Sequence, residues 1–169
     1  MNSSERRGRI LEYLKGADRP LSATALAQKL AVSRQIIVGD VALLRAAGEG
    51  ITATPRGYVL ERPRTGIVGT VACLHSGDDM ERELTLMVDQ GCTVENVIVE
   101  HPVYGQLTGP LELSSRYDIA EFIRTVEENA ARPLSLLTDG IHLHTLRCPD
   151  QATLDRTVAA LGEAGFLVR

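Results

Sequence analysis

Apolar residues in the first 47 positions recur every three or four residues, and that spacing predicts three helices. "SSERRGRILEYLKG" opens on a cap-like serine and carries Ile10, Leu11 and Leu14 on one face. "LSATALAQKLAVS" follows Ser22 with Leu26 and Leu30 on one stripe. "SRQIIVGDVALLRAAG" follows Ser33 with Ile37, Val41 and Leu44 inward, and Gly48 ends it. The "AV" between the second and third stripes is a tight turn. "GITATPRGYVL" then changes period and predicts two short strands around Pro55-Arg56-Gly57.

Beyond residue 66, short apolar runs alternate with helical stripes. "GIVGTVACLHS" (66–76) is β-rich. "DDMERELTLMVDQG" predicts a helix with Met80, Leu84, Met87 and Val88 inward, closed by Gly91. "TVENVIVEHPVYG" predicts a strand running to Pro102, and "QLTGPLELSS" continues in extended form. "SRYDIAEFIRTVEENAA" predicts a helix whose Ser115 and Asp118 resemble a capping box. "PLSLLTDGIHLHTLRCPD" reads as extended, and "QATLDRTVAALGEAGFLVR" as a last helix with a short strand behind it. This alternation predicts an α+β fold, a sheet layered by helices.

Charge divides the chain where the pattern does. Residues 1–60 carry nine basic and five acidic side chains, a net of +4; residues 61–169 carry nine and seventeen, a net of −8. A basic front on an acidic back is the asymmetry of a chain whose first domain meets phosphate. "ERPRTG" (61–66), with Pro, Gly and mixed charge, is the expected junction between domains at 1–60 and 67–169. Hydrophobic residues make up 44% of the chain, enough for a core, yet no apolar run is long enough to span a bilayer. Cys73, Cys92 and Cys148 are odd in number and scattered. The expectation is a reducing cytoplasm, with the thiols as small core residues.

Three helices with a short turn before the third, then a hairpin, make a winged helix-turn-helix. The third helix of that arrangement enters the major groove. Its first turn, after Ser33, presents Arg34 and Gln35, whose side chains suit guanine or phosphate and adenine respectively. Arg56 at the wing is placed for phosphate or the minor groove. An exposed helix start accounts for "SRQ" alone, but not for the full order over fifty residues.

His142 and His144 raise a different question. One residue apart on a strand, they face the same way inside an apolar run. Buried imidazoles need partners. His75 ends the first strand of this half. Glu83 lies in the stripe 80, 83, 84, 87, 88, which is otherwise apolar. A solvated sheet face, or a core histidine with a hydrogen-bond partner, explains any one of these alone. One site gathering His75, Glu83, His142 and His144 explains them together, and three imidazoles with one carboxylate suit a divalent Zn, Ni, Fe or Mn ion. Cys73 shares a face with His75 by parity, but nothing else points to it. Cys148 is four strand positions from His144, roughly 13 Å, too far for one ion. His101, at a strand end before Pro102, is a group behind the ligands, a pocket wall or plain structure.

"PLSATALAQKLAVSRQIIVGDVALLRAAG" resembles the bacterial helix-turn-helix family shared by the biotin repressor and several metabolite regulators. Gly39 departs from it, standing mid-helix where that family carries a polar or basic residue; it either weakens a contact or permits close approach to DNA. "VIVEHPVYGQLTGPLELSSRYDIAEFI" and "LTDGIHLHTL" resemble the three-histidine (3H) domain. The two in this order resemble the niacin-responsive transcriptional repressors over nearly the whole chain. The resemblance implies a homodimeric, non-enzymatic repressor of NAD-biosynthesis and niacin-uptake genes. Operator DNA is its implied partner, nicotinic acid its co-repressor, and His75, Glu83, His142 and His144 its metal ligands. A metal with open positions can accept the pyridine nitrogen of nicotinate. The helix start at Ser114 and Arg116 offers groups for its carboxylate, and His101 and Tyr104 offer walls. Two other readings stay open: a metal-dependent enzyme fused to a DNA-binding domain, with Glu100 or Asp139 as the only bases at hand, and a regulator that senses the metal itself.

Overall fold

The first helix starts at Asn2. Its side-chain oxygen accepts from Glu5 N–H at 2.9 Å, and the Glu5 carboxylate accepts from Asn2 N–H at 3.0 Å. The cap is therefore this reciprocal pair rather than a serine. The computed structural model describes residues 1–169, in two units, Met1–Pro63 and Arg64–Arg169.

In the first unit α1 (Ser3–Gly16), α2 (Ala23–Leu30) and α3 (Arg34–Ala46) precede a hairpin of β1 (Ile51–Thr54) and β2 (Gly57–Leu60). Ile10, Leu14, Leu26, Leu30, Ile37, Val41, Leu44 and Ile51 form its core. Ser22 and Ser33 cap α2 and α3 by accepting from Ala25 N–H and Ile36 N–H. Between them Ala31 adopts a left-handed conformation, which turns the chain sharply. The sequence pattern missed Asp40. It lies buried on α3, 2.5 Å from Arg6 Nε and 3.5 Å from an Arg7 guanidinium nitrogen, and fixes α1 to α3. Gly57, with φ of 133°, brings the hairpin against the segment before α2. A Cβ there would lie 2.4 Å from the Leu21 backbone, and Leu21 and Tyr58 exchange both backbone hydrogen bonds.

The second unit holds β3 (Ile67–Leu74), α4 (Met80–Asp89), β4 (Thr93–His101), β5 (Gly105–Leu113), α5 (Arg116–Glu128), β6 (Ile141–Cys148) and α6 (Gln151–Glu163). Its sheet runs in the order β3-β6-β4-β5, with every pair antiparallel. Thus β3 and β4 are parallel to each other with β6 between them, and β5 and β6 are parallel with β4 between them. These are two interleaved β-α-β crossovers, so α4 must pass over β6 and α5 over β4. Helix α4 packs against α5 and α6, and Val71, Leu84, Met87, Val94, Leu111, Leu113, Ile119, Leu146, Leu161 and Phe166 fill the space between helices and sheet.

Three local expectations change. Residues 134–138 form a 3-10 turn, not extended chain. The carboxylate of Asp118 accepts from Ser114 N–H and Oγ–H rather than from Ser115, while Ser115 Oγ accepts from Asp118 N–H. Cys92 and Cys148, 56 residues apart, form a buried disulfide with a Cα–Cα distance of 4.5 Å, where free thiols were expected. Their spacing along the chain could not reveal this, because the crossover brings the residues after α4 beside the end of β6. The short strand after the last helix is a single bridge, Leu167 to Cys73, flanked by Leu74 N–H to Phe166 O and Val168 N–H to Ala72 O.

Two glycines of the first unit should respond oppositely to alanine. A Cβ at Gly39 meets nothing within 4 Å, so Gly39→Ala should stabilise α3 by about 1 kcal/mol. Gly57→Ala should destabilise the unit by more than that, since it meets both a forbidden φ and the Leu21 backbone. Urea unfolding followed by circular dichroism measures both.

Candidate metal centre and nucleic-acid interface

Because α4 crosses β6, the one acid in its buried stripe lies above the two histidines of that strand. The Glu83 Oε1 is 3.1 Å from His142 Nε2; its Oε2 is 3.3 Å from His144 Nε2 and 2.8 Å from His75 Nε2. His75 follows β3. The structure thus gathers His75, Glu83, His142 and His144, and each side chain is 95% buried or more.

Each ring is held from behind by a main-chain carbonyl. His75 Nδ1–H donates to Ser76 O at 2.6 Å, His142 Nδ1–H to Gly140 O at 2.8 Å, and His144 Nδ1–H to Asn96 O at 2.7 Å. With the proton fixed on Nδ1, a neutral ring presents the Nε2 lone pair to the interior. Three lone pairs and a carboxylate would then face one another, all acceptors. Protonating one ring pairs a single imidazolium with the carboxylate but leaves the other Nε2 lone pairs without donors, and protonating all three buries three cations around one anion. None of these states satisfies all four groups. A divalent cation among the four groups satisfies every donor atom at once. His75 carries the argument furthest. Its buried Nε2 is close to Glu83 but not aligned for a hydrogen bond, and it has no other partner.

The electrostatics agree. Burial alone would push the Glu83 carboxyl up, but His142, His144 and His75 outweigh it and hold the group far below the usual carboxylate range. Burial lowers His75, and the Glu83 carboxylate with the Ser76 carbonyl outweighs it, so the net direction is upward.

Three further residues belong to the site. Gly140, with φ of 94°, leaves room for the His75 carbonyl, which a Cβ would approach to 2.7 Å, while its own carbonyl holds His142. Asn96 sits at an irregularity in β4, beside Glu95. Its main-chain oxygen faces His144, and its side-chain oxygen accepts from Thr145 N–H at 3.1 Å. Cys73 is the register partner of His142 on β3, and its sulfur, a Glu83 oxygen and a His142 nitrogen all lie within 4.8 Å of one another. Burial and the Glu83 carboxylate push this thiol well up. Parity linked Cys73 to His75; only the pairing of β3 with β6 links it to His142.

The other ligand candidates are engaged elsewhere. His101 Nδ1 accepts from Val103 N–H and Tyr104 N–H at the tip of the β4–β5 hairpin, where Tyr104 is exposed. Ser114 is held by Asp118, and Arg116 makes a two-pronged pair with Asp89 at 2.8 and 2.6 Å. No hydrogen bond, ion pair or ring contact joins these four to the tetrad. Arg82, by contrast, stacks over Phe166, which packs edge-on against His75.

In the first unit, Arg34, Gln35 and Gly39 are exposed on α3, with Ser33 occupied as its cap. Ile36 and Leu43 add apolar side chains on exposed parts of the same helix. Arg56 is half-buried in the wing turn. No helix in the chain is long and apolar enough to cross a membrane.

Comparison with known proteins accords with both halves. The 3H domain family matches residues 68–169, and an HTH domain family matches residues 6–59. The "Probable transcription repressor NiaR" of Thermotoga maritima is 41% identical over 164 residues, 97% of this chain and 94% of that protein. The "Transcription repressor NadR" of Bacillus subtilis is 42% identical over 170 residues, 98% of this chain and 94% of that protein.

Replacing Glu83 tests how much the carboxylate supports the buried imidazoles. Glu83→Ala should destabilise the second unit by roughly 3–5 kcal/mol in the presence of a chelator, the range for removing one partner of a buried charged pair. Urea unfolding of both proteins reads this directly.

Proposed function

The chain belongs to the family of transcription repressors that join a helix-turn-helix domain to a 3H domain, and we propose that within it this protein represses NAD-biosynthesis and niacin-uptake genes with nicotinic acid as co-repressor. It is a DNA-binding regulator rather than an enzyme. In our reading His75, Glu83, His142 and His144 hold one divalent ion of the Zn, Ni, Fe or Mn type. The single observation behind this is the fixing of all three imidazoles, Nε2 inward, around a buried carboxylate.

Nicotinate suits such a site because its pyridine nitrogen is an imidazole-like donor, which a bound ion accepts as a Lewis acid. Its carboxylate needs a cation. Arg82 is the one that Phe166 and His75 link to the tetrad, whereas Arg116 would first have to leave Asp89. Ligand bound there touches groups from α4, from β6 and from the chain after β3, and so fixes their relative positions. A single winged helix of modest charge makes few phosphate contacts. The protein therefore acts as a homodimer on a palindromic operator, through the acidic second unit.

Binding and metal measurements test the reading. Titrating a labelled operator with nicotinate and metal, separately and together, should give tighter binding only with both, by about 5–150-fold, with calorimetry returning the same factor for nicotinate in the presence of operator. Tightening by metal alone would instead make the protein a metal sensor, and no effect of nicotinate with metal would overturn the co-repressor. Elemental analysis should find one ion per chain, lost in the His142→Ala, His144→Ala double variant. For the DNA contact, Arg34→Ala should lose about 1–3 kcal/mol of operator affinity if that side chain reads a base, with relaxed specificity at one position.

A further inference from the structure

Within the metal reading just given, we infer that Cys73 is a fifth donor of the centre, binding the ion through its sulfur as a thiolate and making the set three imidazoles, one carboxylate and one sulfur.

Cys73 has no exposed surface. It faces the helices, directly across from His142 in the β3–β6 ladder, where opposed side chains in an antiparallel pair stand about 4.5–5.5 Å apart at Cβ. Its backbone is fixed on both sides: β6 pairs it on one, and the returning C-terminal segment on the other, by the bridge to Leu167 and the bonds at Leu74 and Ala72. The sulfur therefore has little freedom except rotation about Cα–Cβ. Two ligands of one ion stand at most about 4.4 Å apart, the sum of bonds of ~2.3 Å to sulfur and ~2.1 Å to nitrogen. The sulfur, a Glu83 oxygen and a His142 nitrogen already lie within 4.8 Å of each other, so rotamer-scale adjustment brings these three within reach of one ion.

A second observation points to a ligand at the same place. The His75 Nε2 is buried, 2.8 Å from a Glu83 oxygen but without a hydrogen-bond partner. The remaining cysteines do not compete, because Cys92 and Cys148 are paired with each other. On binding, the thiol proton leaves to water and the sulfur–metal bond replaces the sulfur–hydrogen bond. A dication beside a coordinating thiol brings this about even where the thiol alone stays protonated. The consequence is selectivity. Sulfur favours Zn, Ni and Co over Mn, which prefers oxygen.

The test loads the full-length protein with Co²⁺ and with Ni²⁺ and records near-ultraviolet absorption, where thiolate-to-metal charge transfer appears. Wild-type protein should show that band at one ion per chain. Cys73→Ala should still bind one ion through the tetrad but without the band. Competition should show its Co²⁺ affinity falling by at least the order of 10–100-fold that loss of an outer partner costs, and its Mn²⁺ affinity falling less. Cys73→Ser checks that size alone is not responsible. A wild-type protein that binds one ion without the band overturns the fifth donor and leaves the tetrad standing. A band that persists in Cys73→Ala overturns it as well. Absence of any bound ion in wild type overturns the metal reading and the fifth donor together.

Discussion

The second unit is organised around one constraint, a carboxylate buried under a crossover helix with three imidazoles as its neighbours. Glu83 occupies a position in the α4 stripe whose neighbours Leu84, Met87 and Val88 are all core, so it cannot reach water without lifting the helix. The histidines must come to it. Two arrive because the β-α-β topology carries α4 across β6, and the third because β3, which leads into α4, ends beside the helix start. The backbone is shaped to the same end. The irregularity in β4 offers Asn96 O to His144, and the left-handed Gly140 offers its carbonyl to His142 while admitting that of His75. The rings are thus oriented by main-chain atoms, which no substitution of a neighbouring side chain removes directly.

What could be read from the chain and what could not divide along one line. Periodicity located all six helices and the strands around them, because each element buries one face and its apolar residues repeat at 3.6 or 2 positions. The parity of His142 and His144 and the odd acid in an apolar stripe were visible for the same reason. Relations between elements were not. Cys73 lies opposite His142 only through the β3–β6 register, Cys92 reaches Cys148 only through the crossover, and Asp40 meets Arg6 only once α1 packs on α3. The candidates for the ligand's carboxylate likewise gain partners that the sequence pattern did not reveal. Ser114 and Arg116 look free as a helix start, but the fold supplies Asp118 and Asp89 as partners.

The interior of the first unit was similarly legible, and its surface explains why it needs help. The exposed positions of α3 offer Arg34 and Gln35 in its first turn, then Ile36, Gly39, Ala42 and Leu43, with a second cation, Arg45, only in its last turn. Few of these can neutralise a phosphate, and phosphate neutralisation supplies most non-specific affinity. A recognition surface this sparse gains little from a single copy, which is the support for the homodimer proposed above.

The disulfide limits how the ligand proposed for the centre could move the elements around it. Helix α4 runs parallel to β6, so Glu83 near its start faces His142 near the start of the strand, while Cys92 beyond its end joins Cys148 at the end of the strand. The pair of elements is tied at one end by a covalent bond and at the other only by the tetrad. With the disulfide intact, sliding of α4 along β6 is opposed, and the motion left is a change of tilt about the tethered end. A tilt produces its largest displacement at the free end, where the tetrad lies and where the chain from β3 enters the helix. A ligand shifts a conformational equilibrium only by its differential affinity for the two states. The ligand proposed to bridge α4, β6 and the end of β3 would therefore sit where small differences in tilt alter its contacts most.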